Sequence, residues 1–223
     1  MTGRFFEDHP HTGVGARLFD PAYYPDKYQC YLREETGLLQ DKLRGPNTVL
    51  DAGVGTGRLI PTLAPLVNRY VGIDNADSMV EAAQVIARAF ENVDIKSGDL
   101  MNLEGLFPAH PFDYCFCVLN TLGNVADEAQ VLRQLAGVTK KSVYLTVCLK
   151  GTVKDRREWY DMLGITYTFN ADEVAYFEEG LRSKAYSLDD IARLAEASGL
   201  RVIDHRILGE VMLWTELSSS DLI

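Results

Sequence analysis

Three short stretches carry the residues best suited to chemistry. The first is Asp51-Ala52-Gly53-Val54-Gly55-Thr56-Gly57. Alternating glycines let a backbone approach a ligand closely and take up left-handed conformations. The dinucleotide pattern G-x-G-x-x-G would need glycine at position 58, which is Arg, or, counted from Gly55, at position 60, which is Ile. A P-loop would need lysine after its last glycine, and the chain runs Gly57-Arg58-Leu59. The pattern present is G-x-G-x-G, with an aspartate two residues before it. The second stretch ends at Asp74, twenty-one positions after Gly53. A carboxylate there can accept from both hydroxyls of a ribose, or it can cap the following helix. The third is Ser97-Gly98-Asp99-Leu100. Asp99 can accept from an adenine amino group while a neighbouring backbone N–H meets a ring nitrogen. Met79 can pack on the adenine face or serve as helix core.

These residues need a scaffold that brings them together. Residues 48–52, 70–74, 93–97, 112–119 and 142–148 read as apolar strands, with helices over 59–67, 78–90 and 127–136 between them. Ser78 and Glu81 have the spacing of a capping box. Strands alternating with helices predict a doubly wound α/β fold with a mostly parallel sheet, right-handed crossovers and helices on both faces. Upstream, Tyr23, Tyr24, Tyr28, Tyr31, Leu32, Leu38 and Leu39 recur at helical spacing. They predict one or two helices over 21–43, broken by Gly45-Pro46-Asn47. Residues 1–13, polar and rich in turn formers, read as a frayed end. Downstream, 152–163 reads as a polar helix, and 165–170 with 174–186 as an inserted hairpin. Ser187 and Asp190 begin a helix that Gly199 ends. Residues 200–208 and 211–217 lie too close for a helical crossover, so they should pair antiparallel. The expected layout is an N-terminal helical cap over 1–44 and one domain over 45–223, with an insertion at about 150–186.

A chain of 223 residues is long enough for one sizeable core. No apolar run approaches the ~20 residues of a membrane span. The N-terminus lacks the basic start and apolar run of a secretory signal, so a cytoplasmic protein is expected. Net charge is −10, from 22 basic and 32 acidic residues. That balance repels phosphate backbones and disfavours nucleic acid as partner; a neutral or cationic small molecule suits it better. The four cysteines form no C-x-x-C pair. Cys115 and Cys117, two apart on a strand, would share a face as small buried hydrophobes. The four histidines, His9 and His11 among them, show no zinc-type spacing, and no metal is expected.

Together these stretches resemble the class I, Rossmann-like S-adenosylmethionine-dependent methyltransferases, small-molecule type. Residues 49–57 match the family's first motif, 71–74 its ribose-binding acidic motif and 98–100 its adenine-binding motif. Residues 112–119 resemble the fourth strand, 186–202 the late helix and sixth strand, and 211–217 the reversed seventh. The resemblance implies a seven-stranded sheet with an antiparallel last strand, and S-adenosylmethionine as cofactor. It places Gly53 and Gly55 under the methionine moiety and Asp51 at its amino group. It places Asp74, with Asn75, at the ribose, and Met79, Asp99 and Leu100 at adenine. Leu119 would close the cofactor site from the fourth strand, and the N-terminal aromatics Tyr23 and Tyr28 would fold over it.

Methyl transfer from a sulfonium is an in-line displacement, for which an enzyme supplies mainly proximity and orientation. The acceptor should lie beyond the fourth strand, at Leu119-Asn120-Thr121-Leu122-Gly123-Asn124. The Asn/Asp-Pro-Pro-Tyr/Phe tetrapeptide of base- and glutamine-modifying relatives is absent there. Asn120 offers both a donor and an acceptor to orient an amine or hydroxyl, with Tyr23 as a second candidate; a plain loop asparagine is the alternative. Trp159, Tyr160, Tyr167, Phe169, Tyr176 and Phe177 supply aromatic surface for an apolar ring or an ammonium. Arg182 or Lys184 could pair a substrate carboxylate, a solvated surface role being the alternative for each. The expected activity is methyl transfer to N or O of a small molecule, by a monomer or homodimer not in a membrane. A tRNA or protein substrate, or a silent cofactor-binding scaffold, are the alternatives.

Overall fold

The computed structural model describes residue 17 and residues 20–219, apart from 110 and 179. The frayed end expected over 1–13 lies outside these residues. Five strands, β1 (Gly45–Ala52), β2 (Val67–Asp74), β3 (Val93–Ser97), β4 (Phe112–Cys117) and β5 (Thr139–Leu149), run parallel in the order 3-2-1-4-5. Successive side chains on a strand point to opposite faces, and the sequence uses both. Val49, Tyr70, Phe116 and Tyr144 join one apolar layer. Their neighbours Leu50, Val71, Cys115, Cys117, Val143 and Leu145 join the other. Cys115 and Cys117 do share a face, and burial pushes both thiols up to about 12.

Helices cover each layer. On the first lies α1 (Asp26–Leu43), one helix preceded by a 3-10 turn at Pro21–Tyr23. Its buried stripe is Tyr28, Tyr31, Leu32, Glu35, Leu39 and Leu43. A Cβ on Gly209 would stand 2.1 Å from the Lys27 carbonyl, so α1 rests against bare backbone there. The helix expected over 59–67 is shorter: α2 (Ile60–Leu63) passes into a 3-10 turn at Ala64–Leu66, and Val67 already begins β2. Pro65 explains the stop, since it has no N–H to continue the helix. Next comes α3 (Asp77–Ala87), ending short of 90. Its N-cap is Ala76 without a side-chain bond, so the box expected from Ser78 and Glu81 does not form. Asp74 Oδ1 accepts from the Ala76 N–H instead (3.0 Å). On the second layer, α4 (Glu128–Val138) is capped by Asp127.

The last third builds the far edge and the insertion. Helix α5 (Val153–Leu163) leads into β6 (Tyr167–Phe169), β7 (Ala175–Phe177) and β8 (Arg182–Ser183), a three-stranded antiparallel sheet rather than a two-stranded hairpin. The strand expected over 174–186 is thus divided, and its end forms β9 (Ala185–Tyr186), parallel to the tip of β5. Strand β4 ends opposite Leu145, and β9 occupies the vacated lane opposite Cys148 and Leu149. Helix α6 (Leu188–Glu196), on the second layer, begins with both halves of the Ser187–Asp190 capping box. Its C-cap is Ala197; Gly199, at φ +74°, turns the chain into the next strand. Strands β10 (Leu200–Leu208) and β11 (Met212–Ser219) pair antiparallel, with β11 inserted between β5 and β10. The main path is therefore the expected seven-stranded sheet with an antiparallel last strand. No helix of the described residues is long and apolar enough to cross a membrane.

Candidate active site

In a doubly wound sheet the ligand crevice opens where strand order reverses, beyond the carboxyl ends of the strands. Here that point lies between β1 and β4. The glycine turn leaves β1 at this point, and Gly53, Gly55 and Gly57 all have positive φ. A Cβ on Gly53 would stand 2.6 Å from Thr121 Cγ2, so glycine alone lets the turn pass the segment after β4. The turn is tied to β2: the Gly53 and Val54 N–H groups both donate to the Ile73 carbonyl (2.9 Å each). The Gly55 N–H donates to Asp74 Oδ2 (3.0 Å). Asp74 thus braces the turn and faces the crevice. Burial raises its carboxyl above the usual range, against the pull of the backbone donors at Ala76, Gly55 and Asn75.

At the end of β1, Asp51 is buried and accepts from the Tyr70 hydroxyl. Burial pushes its carboxyl up to about 7, although that hydrogen bond and nearby Arg58 favour the ionised form. Arg58 was not among the residues singled out by sequence. It lines the crevice and pairs with Glu35 of α1 (2.5 Å), which is fully buried. The other oxygen of Glu35 accepts from the hydroxyls of Tyr31 (2.6 Å) and Thr146 (2.5 Å). Thr146 in turn holds the segment after β4, its Oγ1 accepting from the Leu119 N–H and its carbonyl from the Asn120 N–H (2.9 Å each).

That segment stops β4 two residues earlier than expected. Leu119 (φ +53°) and Asn120 (φ +62°) are consecutive left-handed residues, a costly pair for side chains other than glycine. The Asn120 amide spans the gap it creates. Its Oδ1 accepts from the Cys148 N–H and its Nδ2 donates to Ser183 Oγ, both at 2.9 Å. Ser183 also receives the Tyr160 hydroxyl (2.9 Å), and behind both lies Arg156, fully buried. Arg156 donates to the Ser183 carbonyl (2.5 Å), the Glu173 carbonyl (2.6 Å) and the Tyr160 oxygen (3.3 Å).

Asp51, Gly53, Gly55, Asp74, Asn75, Met79, Asp99, Leu100, Leu119 and Asn120 all line one cavity of about 600 Å³. Met79 and Leu100 are buried at the β2–β3 end, where Asp99 also holds the Met101 N–H (2.9 Å). The other end is closed by Trp159, Tyr160, Tyr176, Phe177 and Ser183. Tyr167 and Phe169 are not in the lining; they pack around Tyr160 and the two arginines of α5. The two N-terminal aromatics also depart from expectation. Tyr28 is fully buried and stacks on Trp159 (4.5 Å between centroids), one layer behind the lining. Tyr23 is 39% exposed and does not line the cavity. Both sit on or before α1, whose stripe faces the core rather than the crevice. Lys184 lies outside the lining as well, and Arg182, which is in it, pairs with Glu128 (2.9 Å) as does Lys184 (3.0 Å).

This donor set fits an adenosyl amino acid: a carboxylate for an ammonium, a glycine cradle, a carboxylate at a strand end for a sugar, and an apolar slot beside Asp99. A family described as Methyltransferase domain matches residues 49–142. A curated relative from Geobacillus sp. (strain WCH70), itself only provisionally described as a methyltransferase, is 26% identical over 162 residues. The match takes in 72% of this chain, and the chain spans 63% of that relative's length. Among solved structures, magnesium protoporphyrin IX methyltransferase from Synechocystis PCC 6803, with bound S-adenosylhomocysteine, is 18% identical with a TM-score of 0.67. That likeness covers 96% of this chain and 98% of the other. The CcbJ methyltransferase from Streptomyces caelestis gives 17%, TM-score 0.69, and 96% and 97% coverage. Protein PH0226 from Pyrococcus horikoshii OT3 gives 20%, 0.70, and 92% and 98%. The fold is that of the class I, Rossmann-like methyltransferases. Across residues 49–142 the chain is similar to a methyltransferase domain, and the solved structures it resembles include one with bound S-adenosylhomocysteine.

Proposed function

We propose that the whole protein transfers a methyl group from S-adenosylmethionine to an oxygen or nitrogen of a small-molecule acceptor. The observation that carries this reading is the continuity of the cavity, which joins the glycine turn and Asp74 to an aromatic pocket walled by the insertion. Bound S-adenosylmethionine would supply a methyl group already activated by its sulfonium. The chain's own part is placement. Asp51 would hold the amino group, Gly53 and Gly55 would let the methionine pass over the turn, and Asp74 with Asn75 would hold the ribose. Met79, Asp99 and Leu100 would take the adenine. Leu119 and Asn120, fixed in left-handed conformations by Thr146 and Cys148, would set the boundary between donor and acceptor.

The aromatic-walled end of the cavity and the net charge of −10 support a small acceptor over a polyanion. A structural neighbour whose name gives magnesium protoporphyrin IX as substrate illustrates that this fold serves such molecules. The free cysteines, three of them buried, suit a reducing cytoplasmic setting. Calorimetry with S-adenosylhomocysteine tests the cofactor half. We expect saturable binding, weakened at least roughly 100-fold by Asp74→Ala through loss of two charge-assisted hydrogen bonds. Unchanged affinity in that variant would sink the assignment of the ribose site.

A further inference from the structure

Resting on the methyltransferase reading, we propose that the acceptor end of the cavity is built for an apolar molecule bearing an oxygen anion. Two sources of that chemistry, a carboxylate and an ionised phenol, share it. A cationic amine does not fit.

The first ground is charge. Arg156 has no exposed surface and no carboxylate partner among the described residues. The groups around it are neutral: burial pushes the Tyr160 hydroxyl up to about 12 and raises the Cys148 thiol. Carbonyl oxygens and hydroxyls solvate the guanidinium but leave its charge uncompensated. A desolvated cation of this kind favours a nearby anion. Its field reaches the cavity through Tyr160 and Ser183, both in the lining. Arg182, also in the lining, shares one carboxylate, Glu128, with Lys184. The acceptor end is therefore positive although the whole chain is acidic.

The second ground is hydrogen-bond polarity. Ser183 Oγ has two lone pairs yet stands within reach of three donors, the Tyr160 hydroxyl, Asn120 Nδ2 and Arg156 Nη2. Trp159 and Arg182 each carry a buried N–H, at Nε1 and Nε, without a partner among the described residues. Among these lining residues the surplus is of donors, which favours an oxyanion over an ammonium. Of the aromatic rings in the lining, Tyr160 already carries the Arg156 guanidinium over its face (5.8 Å).

The third ground is that the described lining residues at the acceptor end include no base. The carboxylates among the described lining residues are Asp51, Asp74 and Asp99, all at the cofactor end, and no histidine is among them. An amine with a pKa of ~10 would need a proton removed before it could attack. An oxyanion needs none. Its lone pair forms the new carbon–oxygen bond as the methyl–sulfur bond breaks with its pair passing to sulfur. Charges of −1 and +1 become two neutral products and no proton is left over. Arg156 is a positioning residue in this scheme, acting through Tyr160 and Ser183.

The test uses the full chain saturated with S-adenosylhomocysteine and three probes of one shape: naphthoate, naphthol and naphthylmethylammonium. Calorimetry should show naphthoate binding at least ~10-fold tighter than the ammonium, with naphthol rising towards it as pH is raised. Arg156→Met should abolish the preference and Arg156→Lys should keep it, with S-adenosylhomocysteine affinity unchanged in both. Should Arg156→Met not fold, Ser183→Ala and Tyr160→Phe retain the guanidinium and should each weaken naphthoate roughly 3- to 10-fold, the scale of one hydrogen bond. Ammonium binding as tight as naphthoate, no saturable naphthoate binding, or a preference indifferent to all four substitutions would overturn the proposal. Naphthoate or naphthol methylated from labelled S-adenosylmethionine would decide which source applies. Failure of S-adenosylhomocysteine itself to bind would instead bring down the cofactor reading beneath it.

Discussion

Asp51 stands at the end of β1 with almost no exposed surface, and its two duties pull against each other. Burial holds its carboxyl near 7, so the proton leaves at a far higher pH than in the unfolded chain, where aspartate titrates near ~4. Between those values the folded state keeps a proton that the unfolded state has lost. This contribution to stability is whole below ~4, falls as pH rises, and is gone above about 7. Only the ionised form can meet an ammonium, so cofactor affinity should move oppositely, rising from pH 6 to pH 8. For Asp51→Asn we expect a melting temperature at pH 8 no lower than the parent's. We also expect S-adenosylhomocysteine affinity to drop roughly 10- to 100-fold, with the pH dependence flattened. A variant that kept both the affinity and the slope would remove Asp51 from the amino-group site. The same scale explains Gly53. A Cβ there collides with Thr121, and φ is +87°. Gly53→Ala should lose cofactor affinity and fold stability together, as thermal shift with and without ligand would report; full ligand-induced stabilisation would contradict the cradle.

At the scale of elements, α1 is joined to the cofactor turn by a buried acid. Glu35 binds Arg58 after the glycine turn and Thr146 at the middle of β5, and Thr146 fixes Leu119 and Asn120. Removing one member of a buried ion pair costs about 3–5 kcal/mol. For Glu35→Gln we therefore expect a fall in melting temperature of roughly 6–20 °C, taking ~2–4 °C per kcal/mol for a chain of this size. A fall under about 2 °C in a thermal melt would show that the pair is not buried in solution. None of this was legible in the sequence. Glu35 reads as one more acid in the run Arg33-Glu34-Glu35, and its partners beyond α1, Arg58 and Thr146, lie 23 and 111 residues away. Arg156, within Lys154-Asp155-Arg156-Arg157-Glu158, reads as part of a solvated face for the same reason. Local signals fared better where the deciding contacts were local. The Ser187–Asp190 box is set by neighbours within a few residues; the glycine turn was legible from its residue types, although Ile73 and Asp74, which hold it, lie some way along the chain. The Ser78–Glu81 box had the right spacing, but the helix begins at Asp77 with Ala76 as its N-cap, which puts Ser78 inside the first turn.

For the whole molecule, strand order and the division into two apolar layers were readable because period-two alternation and the strand–helix rhythm are global patterns of the chain. Charge is also a whole-chain property, and at −10 it predicts indifference to polyanions. Fluorescence anisotropy with a labelled duplex should show no binding at physiological salt in the ~10⁻⁴–10⁻⁶ M range of general nucleic-acid binders. Micromolar retention would reopen a nucleic-acid substrate. What total charge could not disclose is its distribution. Sequence arithmetic suggested a neutral or cationic guest, whereas folding gathers Arg156, Arg182 and Lys184 around one end of one cavity.

The short strand β9 has a further bearing on how such a protein can change. Because it docks beside the tip of β5, in the lane that β4 gives up, the segment from β6 to β8 is clamped at both ends, by α5 before it and by the central sheet after it. The same segment also reaches inward, since Ser183 at the end of β8 holds the Asn120 amide. A graft that replaced it would have to supply a new anchor for Asn120, so guest preference and the donor–acceptor boundary would change together.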